Sequence, residues 1–242
     1  MSDDMASLHT AKKELRRQIR QTLSHVSEHS VQTQSQAASE TLLSLPEYLS
    51  AKRISVYLSM PKGELSTRSI VAEALRNGKE VYVPYIHKVT PPTNQSPASA
   101  MDMVALRSHG DFVGLQPDSW GIPTPSEDSI VHRKCCLIQQ HPEHTSAGIS
   151  GEKSNLELVI MPGVAFDHKL DRLGHGKGYY DRFLSQYQRS LEKASSPENQ
   201  MPFLVGLALE EQVLPVGQEV PADASDWRLD ALIVGTKPVR RR

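Results

Sequence analysis

The sequence predicts an α/β fold, a parallel sheet covered by helices. Short runs of β-branched and other apolar residues alternate with amphipathic stretches of helical period, which is how parallel strands joined by crossover helices read. The chain has 242 residues, 38% of them hydrophobic, enough for one well-buried domain. A glycine-rich turn, Gly174-His-Gly-Lys-Gly178, runs straight into an amphipathic segment and supplies the loop-to-helix joint that such folds use for ligands.

In chain order, residues 1–10 carry Asp3 and Asp4 and no apolar core. They are expected to be a flexible N-terminus, neither a signal peptide nor a mitochondrial presequence. Residues 11–26 have helical periodicity, with Leu15, Ile19, Leu23 and Val26 on one stripe and Lys12, Arg16 and Arg20 on another face. Residues 31–45 continue as a helix ending before Pro46. A strand follows over 54–60, a helix over 67–77 stopped at Asn77-Gly78, and a strand over 80–86. Residues 87–100 are a polar loop, 101–106 a strand, 107–129 turns, and 139–154 polar and irregular. Residues 156–161 read as a buried strand, 179–191 as an amphipathic helix, 192–201 as a third polar insert, and 203–209 and 231–234 as the last strands. The domain is expected over 11–236, with 237–242 a basic tail.

Composition excludes several function classes. Twenty-seven Lys and Arg against 28 Asp and Glu leave a formal net charge of -1, which gives no global support to nucleic-acid or membrane-surface binding. No apolar run approaches the roughly 18 residues of a membrane-crossing helix. The two adjacent cysteines, Cys135 and Cys136, cannot build a disulfide framework and fit a reducing, cytoplasmic setting; the N-terminal residues make a mitochondrial one the lesser expectation.

The glycine turn lacks the Gly-x-Gly-x-x-Gly spacing and the Gly-Lys-Ser/Thr ending, so it is neither a dinucleotide fingerprint nor a Walker A loop. Its glycines let the backbone approach a ligand, Lys177 and Arg172 supply cations, and the helix behind it points N–H groups at the loop. Asp181, in the first turn of that helix, is a carboxylate suited to phosphate-bound Mg2+, and Asp226 could complete such a site unless Asp226 and Asp230 are only turn and cap residues. Lys12, Lys13, Arg16 and Arg17 read on pattern alone as a solvated helix face. Glu64 follows strand 54–60 and Leu58 lies near its carboxyl end, where substrates of parallel sheets bind, although Glu64 serves equally as an exposed loop acid. Trp120 either stacks on a flat heterocycle or packs. His132, Cys135, Cys136, His141 and His144 invite zinc, but adjacent cysteines ligate poorly at this spacing.

Together these blocks resemble the 5-formyltetrahydrofolate cyclo-ligase family. They are Lys12-Lys-Glu-Leu-Arg16, 54–60, Met101-Asp-Met-Val104, Trp120-Gly-Ile-Pro123, Met161-Pro-Gly-Val-Ala-Phe-Asp167, 172–181 and Asp226-Trp-Arg-Leu-Asp230. The resemblance implies a three-layer α/β/α fold with an open, mostly parallel sheet and helices on both faces. It implies ATP-dependent closure of 5-formyltetrahydrofolate to 5,10-methenyltetrahydrofolate, with Mg2+ as cofactor; a monomer is expected. By resemblance, Lys12 and Arg16 join Arg172, Leu173, Gly174, His175, Gly176, Lys177, Gly178, Tyr179 and Tyr180 in holding ATP. Leu58, Glu64 and Trp120 contact the folate, which residues 175–179 also border; Asp181 and Asp226 hold magnesium; and Lys177, Tyr179 and His175 are the catalytic candidates. His175 stands where some members carry arginine, so charge there depends on protonation. The competing classes are a non-catalytic folate- or nucleotide-binding protein of the same fold, and a sugar-phosphate isomerase-like enzyme using the loop without ATP.

Overall fold

The computed structural model describes residues 2–89, 98–136, 155–194, 200–237 and 239–241. Helix α1 (Ser2–Leu23) starts inside the segment expected to be flexible, and it ends before Val26. Helix α2 (Glu28–Leu43) is capped by Ser27, whose Oγ accepts from Ser30 N at 3.1 Å. Pro46 does not merely stop that helix: it opens a short one, α3 (Pro46–Ser50), whose first position tolerates a residue with no N–H.

Strand β1 (Arg53–Val56), helix α4 (Arg68–Arg76), strand β2 (Glu80–Val89) and strand β3 (Ala98–Ala105) follow. The stretch read as turns contains α5 (His109–Val113), the two-residue pair β4 (Gln116–Pro117) and β5 (Pro123–Thr124), and α6 (Glu127–Ile130). Beyond it come β6 (Leu158–Met161), β7 (Ala165–Phe166), β8 (Arg172–Leu173), α7 (Tyr179–Ala194), β9 (Phe203–Ala208), β10 (Ala231–Val234) and β11 (Arg240–Arg241). The insert 139–154 lies outside the described residues, as do 90–97 and 195–199 of the other two.

Among the described residues, seven strands form one sheet in the order β11-β10-β9-β6-β1-β2-β3. The five central strands are parallel and the two edge strands antiparallel. All four residues of β6 and of β10 are buried, which requires cover on both faces of the sheet. Leu42 of α2, Ile70 and Val71 of α4, and Phe183, Leu184 and Tyr187 of α7 supply cover in one continuous core. The basic tail is not separate from the sheet: β11 pairs with β10, and Arg241 Nη1 donates to Glu47 Oε1 at 2.6 Å.

The strand order places the site. From β1 the chain moves outward to β2, then returns to the other side of β1 as β6 and continues to β9 and β10. Progress along the sheet therefore reverses between β1 and β6, and ligands of open α/β sheets bind beyond the carboxyl ends of strands at such a reversal. The segments leaving those two ends are 57–67, carrying Glu64, and 162–178, carrying the glycine turn.

Candidate active site

The glycine turn is held from below by a small ribbon. β7 and β8 pair antiparallel, and Asp167 organises the turn between them. Its fully buried carboxylate accepts from Lys169 N at 2.8 Å and Asp171 N at 3.0 Å through Oδ1, and from Val220 N at 2.9 Å through Oδ2. Val164, Ala165 and Leu173 of this ribbon form a second core with Ile19, and Leu15 and Leu23 pack against it. The apolar stripe of α1 thus docks on the ribbon, each fully buried side chain of this kind contributing about 1.5–3 kcal/mol.

That docking brings the polar face of α1 to the loop. Arg16 Nε donates to Gly174 O at 2.8 Å, and Lys12 Nζ lies 2.6 Å from Asp226 Oδ2. Burial and the nearby Arg20 lower the Arg16 pKa from its usual value, with Asp226 acting against them; a guanidinium remains a cation throughout. Arg17 instead pairs with Glu14 on the outside of the helix. Gly176 and Gly178 have φ of 97° and 61°, which favour glycine, and a Cβ on Gly176 would sit 3.2 Å from Arg16 Cζ. Lys177 is exposed at the tip and makes no ion pair among the described residues.

Behind the tip, Arg172 is buried and turned inward. Its Nη2 donates to Asp181 Oδ1 at 3.0 Å, its Nη1 to Pro162 O at 3.2 Å, and its guanidinium lies 5.6 Å from the Tyr180 ring centre. Asp181 Oδ1 also accepts from Trp227 N at 3.2 Å, which ties the first turn of α7 to the residue after Asp226. Asp226 Oδ2 accepts from Asp223 N at 2.8 Å as well as from Lys12. Asp181 Oδ2 and Asp226 Oδ1 accept no hydrogen bond among the described residues.

Across the crevice, the segment after β1 is fixed by Thr67 Oγ1 donating to Tyr57 O at 2.6 Å and Tyr57 Oη donating to Leu65 O at 3.2 Å. Glu64 is buried there. Its Oε2 accepts from Met60 N and its Oε1 lies against His175 Nε2, both at 3.1 Å. Burial and the Glu64 charge push the Tyr57 hydroxyl well above its usual value; burial raises Tyr180 too, against Arg172 and together with Glu64. His175, Met60, Lys62 and Trp120 line one cavity of about 1550 Å³ that runs on past α2 and α4.

A family model described as the 5-formyltetrahydrofolate cyclo-ligase family matches residues 8–235. The chain belongs to the 5-formyltetrahydrofolate cyclo-ligase family. It is 34% identical over 229 residues to a probable 5-formyltetrahydrofolate cyclo-ligase of Schizosaccharomyces pombe, covering 95% of this chain and 97% of the relative. It is 29% identical over 232 residues to 5-formyltetrahydrofolate cyclo-ligase of Mus musculus, covering 96% and 97%. The NMR structure of Aquifex aeolicus 5,10-methenyltetrahydrofolate synthetase superposes with a TM-score of 0.61 at 27% identity, covering 95% of this chain and 92% of that one.

For this member of the cyclo-ligase family, the structure sorts the expected residues by depth. Gly174, His175, Gly176, Lys177, Gly178 and Tyr179 reach the surface of the loop, whereas Arg172, Leu173 and Tyr180 lie in the interior as its support. Leu58 is buried in the main core and Trp120 is 73% exposed on the wall of the cavity. Trp120 stands there because Gly121 packs on Pro61; a Cβ on Gly121 would come within 2.7 Å of Pro61 Cγ. Tyr179 is steadied by a 2.7 Å hydrogen bond between its hydroxyl and Ser99 Oγ on β3. Three supporting residues were not singled out from sequence: Asp167, Trp227 and Ser99. Only Asp167 had a signal, as an acid at the start of a turn that ends in Asp171. His141 and His144 lie outside the described residues, among which no three His, Cys, Asp or Glu side chains converge as a ligand set. No helix of the described residues is long and apolar enough to cross a membrane.

Proposed function

We propose that this chain uses ATP to close 5-formyltetrahydrofolate to 5,10-methenyltetrahydrofolate, releasing ADP and phosphate. The observation that supports it most is the joining of two halves. The glycine turn, gripped by Arg16 at Gly174, reaches Glu64 of the opposite loop through His175. A loop suited to phosphate and an acid suited to a pterin thus border one crevice.

The chemistry needs both. An N-formyl carbon is a poor electrophile because the nitrogen lone pair delocalises onto the formyl oxygen. Transfer of the γ-phosphoryl group to that oxygen makes it a leaving group and leaves an iminium carbon that N10 can attack. Most of the catalysis is positioning and charge stabilisation. Lys177, exposed at the loop tip, and Arg16 beneath it are the cations placed to spread phosphate charge. Tyr179, held by Ser99, stands at the helix N-terminus beside them.

Glu64 is suited to the folate. A carboxylate offers about four acceptor sites. Met60 N and His175 each engage one oxygen, so each oxygen keeps an acceptor site for a pair of pterin N–H groups. Asp181 and Asp226 fit Mg2+, since they are hard oxygen donors tied together through Trp227 N, each with one oxygen not engaged among the described residues. These two side chains would hold the ion, and the ion would supply neutralisation of phosphate charge. The two cysteines carry no disulfide, which suits the cytoplasm.

The test is the absorbance of methenyltetrahydrofolate, followed from 5-formyltetrahydrofolate with and without ATP and Mg2+. One phosphate released per product formed supports the proposal. Product without ATP, or ATP hydrolysis without product, overturns it.

A further inference from the structure

The phosphate loop and the folate-side acid touch at one side chain only among the contacts described above, and its chemistry suggests more than binding. We propose that Glu64 and His175 form a carboxylate–imidazole dyad in which His175 Nδ1 takes the proton released by N10 during ring closure. This rests on the functional reading above.

Glu64 as a carboxylate has no hydrogen to give, so the 3.1 Å contact is donated by His175 Nε2–H to Glu64 Oε1. That fixes the tautomer and leaves the Nδ1 lone pair as the basic site. Glu64 is itself fixed: its side chain is 7% exposed and its other oxygen accepts from Met60 N. The arrangement is the base-plus-orienting-acid pair that general base catalysis uses. The ring, 39% exposed, lies on the cavity wall between the loop that would hold the γ-phosphate and the acid that would hold the pterin.

The step balances without any added reagent. The N10 lone pair forms a bond to the formyl carbon of the O-phosphorylated intermediate. The N10–H bond breaks, its electrons stay on nitrogen, and the proton passes to Nδ1. The carbon–oxygen bond then breaks with its electrons leaving on phosphate, and the methenyl cation remains. Lys177 and Arg16 are cations with no lone pair to offer the proton, and burial with the Glu64 charge pushes the Tyr57 hydroxyl above its usual range.

Several charged groups surround this ring. Glu64 contacts it directly. Arg20 of α1, Glu28 and Glu40 of α2, Lys62 of the Glu64 loop and Arg68 of α4 line the same cavity, and Arg16 lies under the neighbouring Gly176.

The experiment compares wild type with His175→Gln, which keeps a donor for Glu64 but has no base, by rapid quench with labelled ATP and by kcat against pH. Wild-type kcat should fall with unit slope on the acid side. His175→Gln should lose that limb and about 10²-fold or more of kcat. It should still release one ADP per active site ahead of methenyltetrahydrofolate, because phosphorylation does not need the base. A variant that keeps the acid limb, or slows ADP formation and ring closure equally, overturns the dyad while leaving the ATP-dependent reaction standing. A wild-type enzyme with no ATP-dependent product removes both.

Discussion

Lys12 Nζ sits 2.6 Å from Asp226 Oδ2, closing the first helix of the chain onto the turn before its last central strand. The contact spans 214 positions and is only part-buried, so its worth lies in placement more than in stability. It brings a cation and a carboxylate to the edge of the glycine turn. Asp226→Asn should raise the Mg2+ concentration needed for half-maximal rate several-fold, with a smaller effect on the 5-formyltetrahydrofolate KM. A titration of rate against Mg2+ checks this, and an unaltered curve removes Asp226 from the metal site.

Lys177 offers a cleaner separation of chemistry from folding. It is exposed and unpaired among the described residues, so Lys177→Ala should leave Tm unchanged. Losing a cation aimed at transferring phosphate should lower kcat by about 10²–10³-fold and weaken ATP. Steady-state kinetics with a thermal melt of the same preparation reads both. Wild-type kinetics would mean that the loop tip does not face the phosphates.

Asp167 makes the opposite prediction. Its carboxylate satisfies three backbone N–H groups in a fully buried turn. Asp167→Ala leaves those donors without a partner and should cost on the order of 3 kcal/mol. Urea unfolding should show a lower midpoint at an unchanged slope. Activity should fall too, because the ribbon carries the glycine turn.

A pH effect on stability comes from α5. Burial would raise the Asp111 carboxyl, but hydrogen bonds from Arg133 and Arg107 outweigh it and hold the group well below the usual carboxylate range. Arg133 Nη1 lies 2.6 Å away with its side chain 2% exposed. A depressed folded pKa means the stabilisation is complete above the unfolded value of about 3.9 and is lost as pH falls through it towards the folded value. Wild type should therefore lose stability below about pH 4 more steeply than Asp111→Asn. That variant should already be weaker at pH 7 by about 3–5 kcal/mol, since it strands a buried guanidinium. Melting temperatures between pH 3 and 7 for both proteins decide it.

What the sequence revealed follows from the range of each interaction. Leu15, Ile19 and Leu23 recur at helical spacing, so α1 and its buried stripe were legible. The strand expected over 54–60 ends at Val56. Tyr57 and Leu58 are apolar and buried but belong to the loop, because Thr67 and Leu65 capture the Tyr57 carbonyl and hydroxyl; periodicity does not separate a buried loop from a strand. β11 had no apolar signal, since Arg240 and Arg241 are held by backbone pairing and by Glu47. The site residues were legible as types, not as contacts. Arg172 carries the charge expected of a phosphate ligand, yet its side chain turns inward to Asp181. The Glu64–His175 contact joins positions 111 apart across the sheet reversal, and only the strand order brings them together.

The central claim is that the formyl oxygen, not water, accepts the γ-phosphoryl group. It is tested most directly by labelling the formyl oxygen of 5-formyltetrahydrofolate with oxygen-18 and analysing the released phosphate by mass spectrometry after one turnover. One labelled oxygen is expected in each phosphate. Phosphate that carries no label would contradict it.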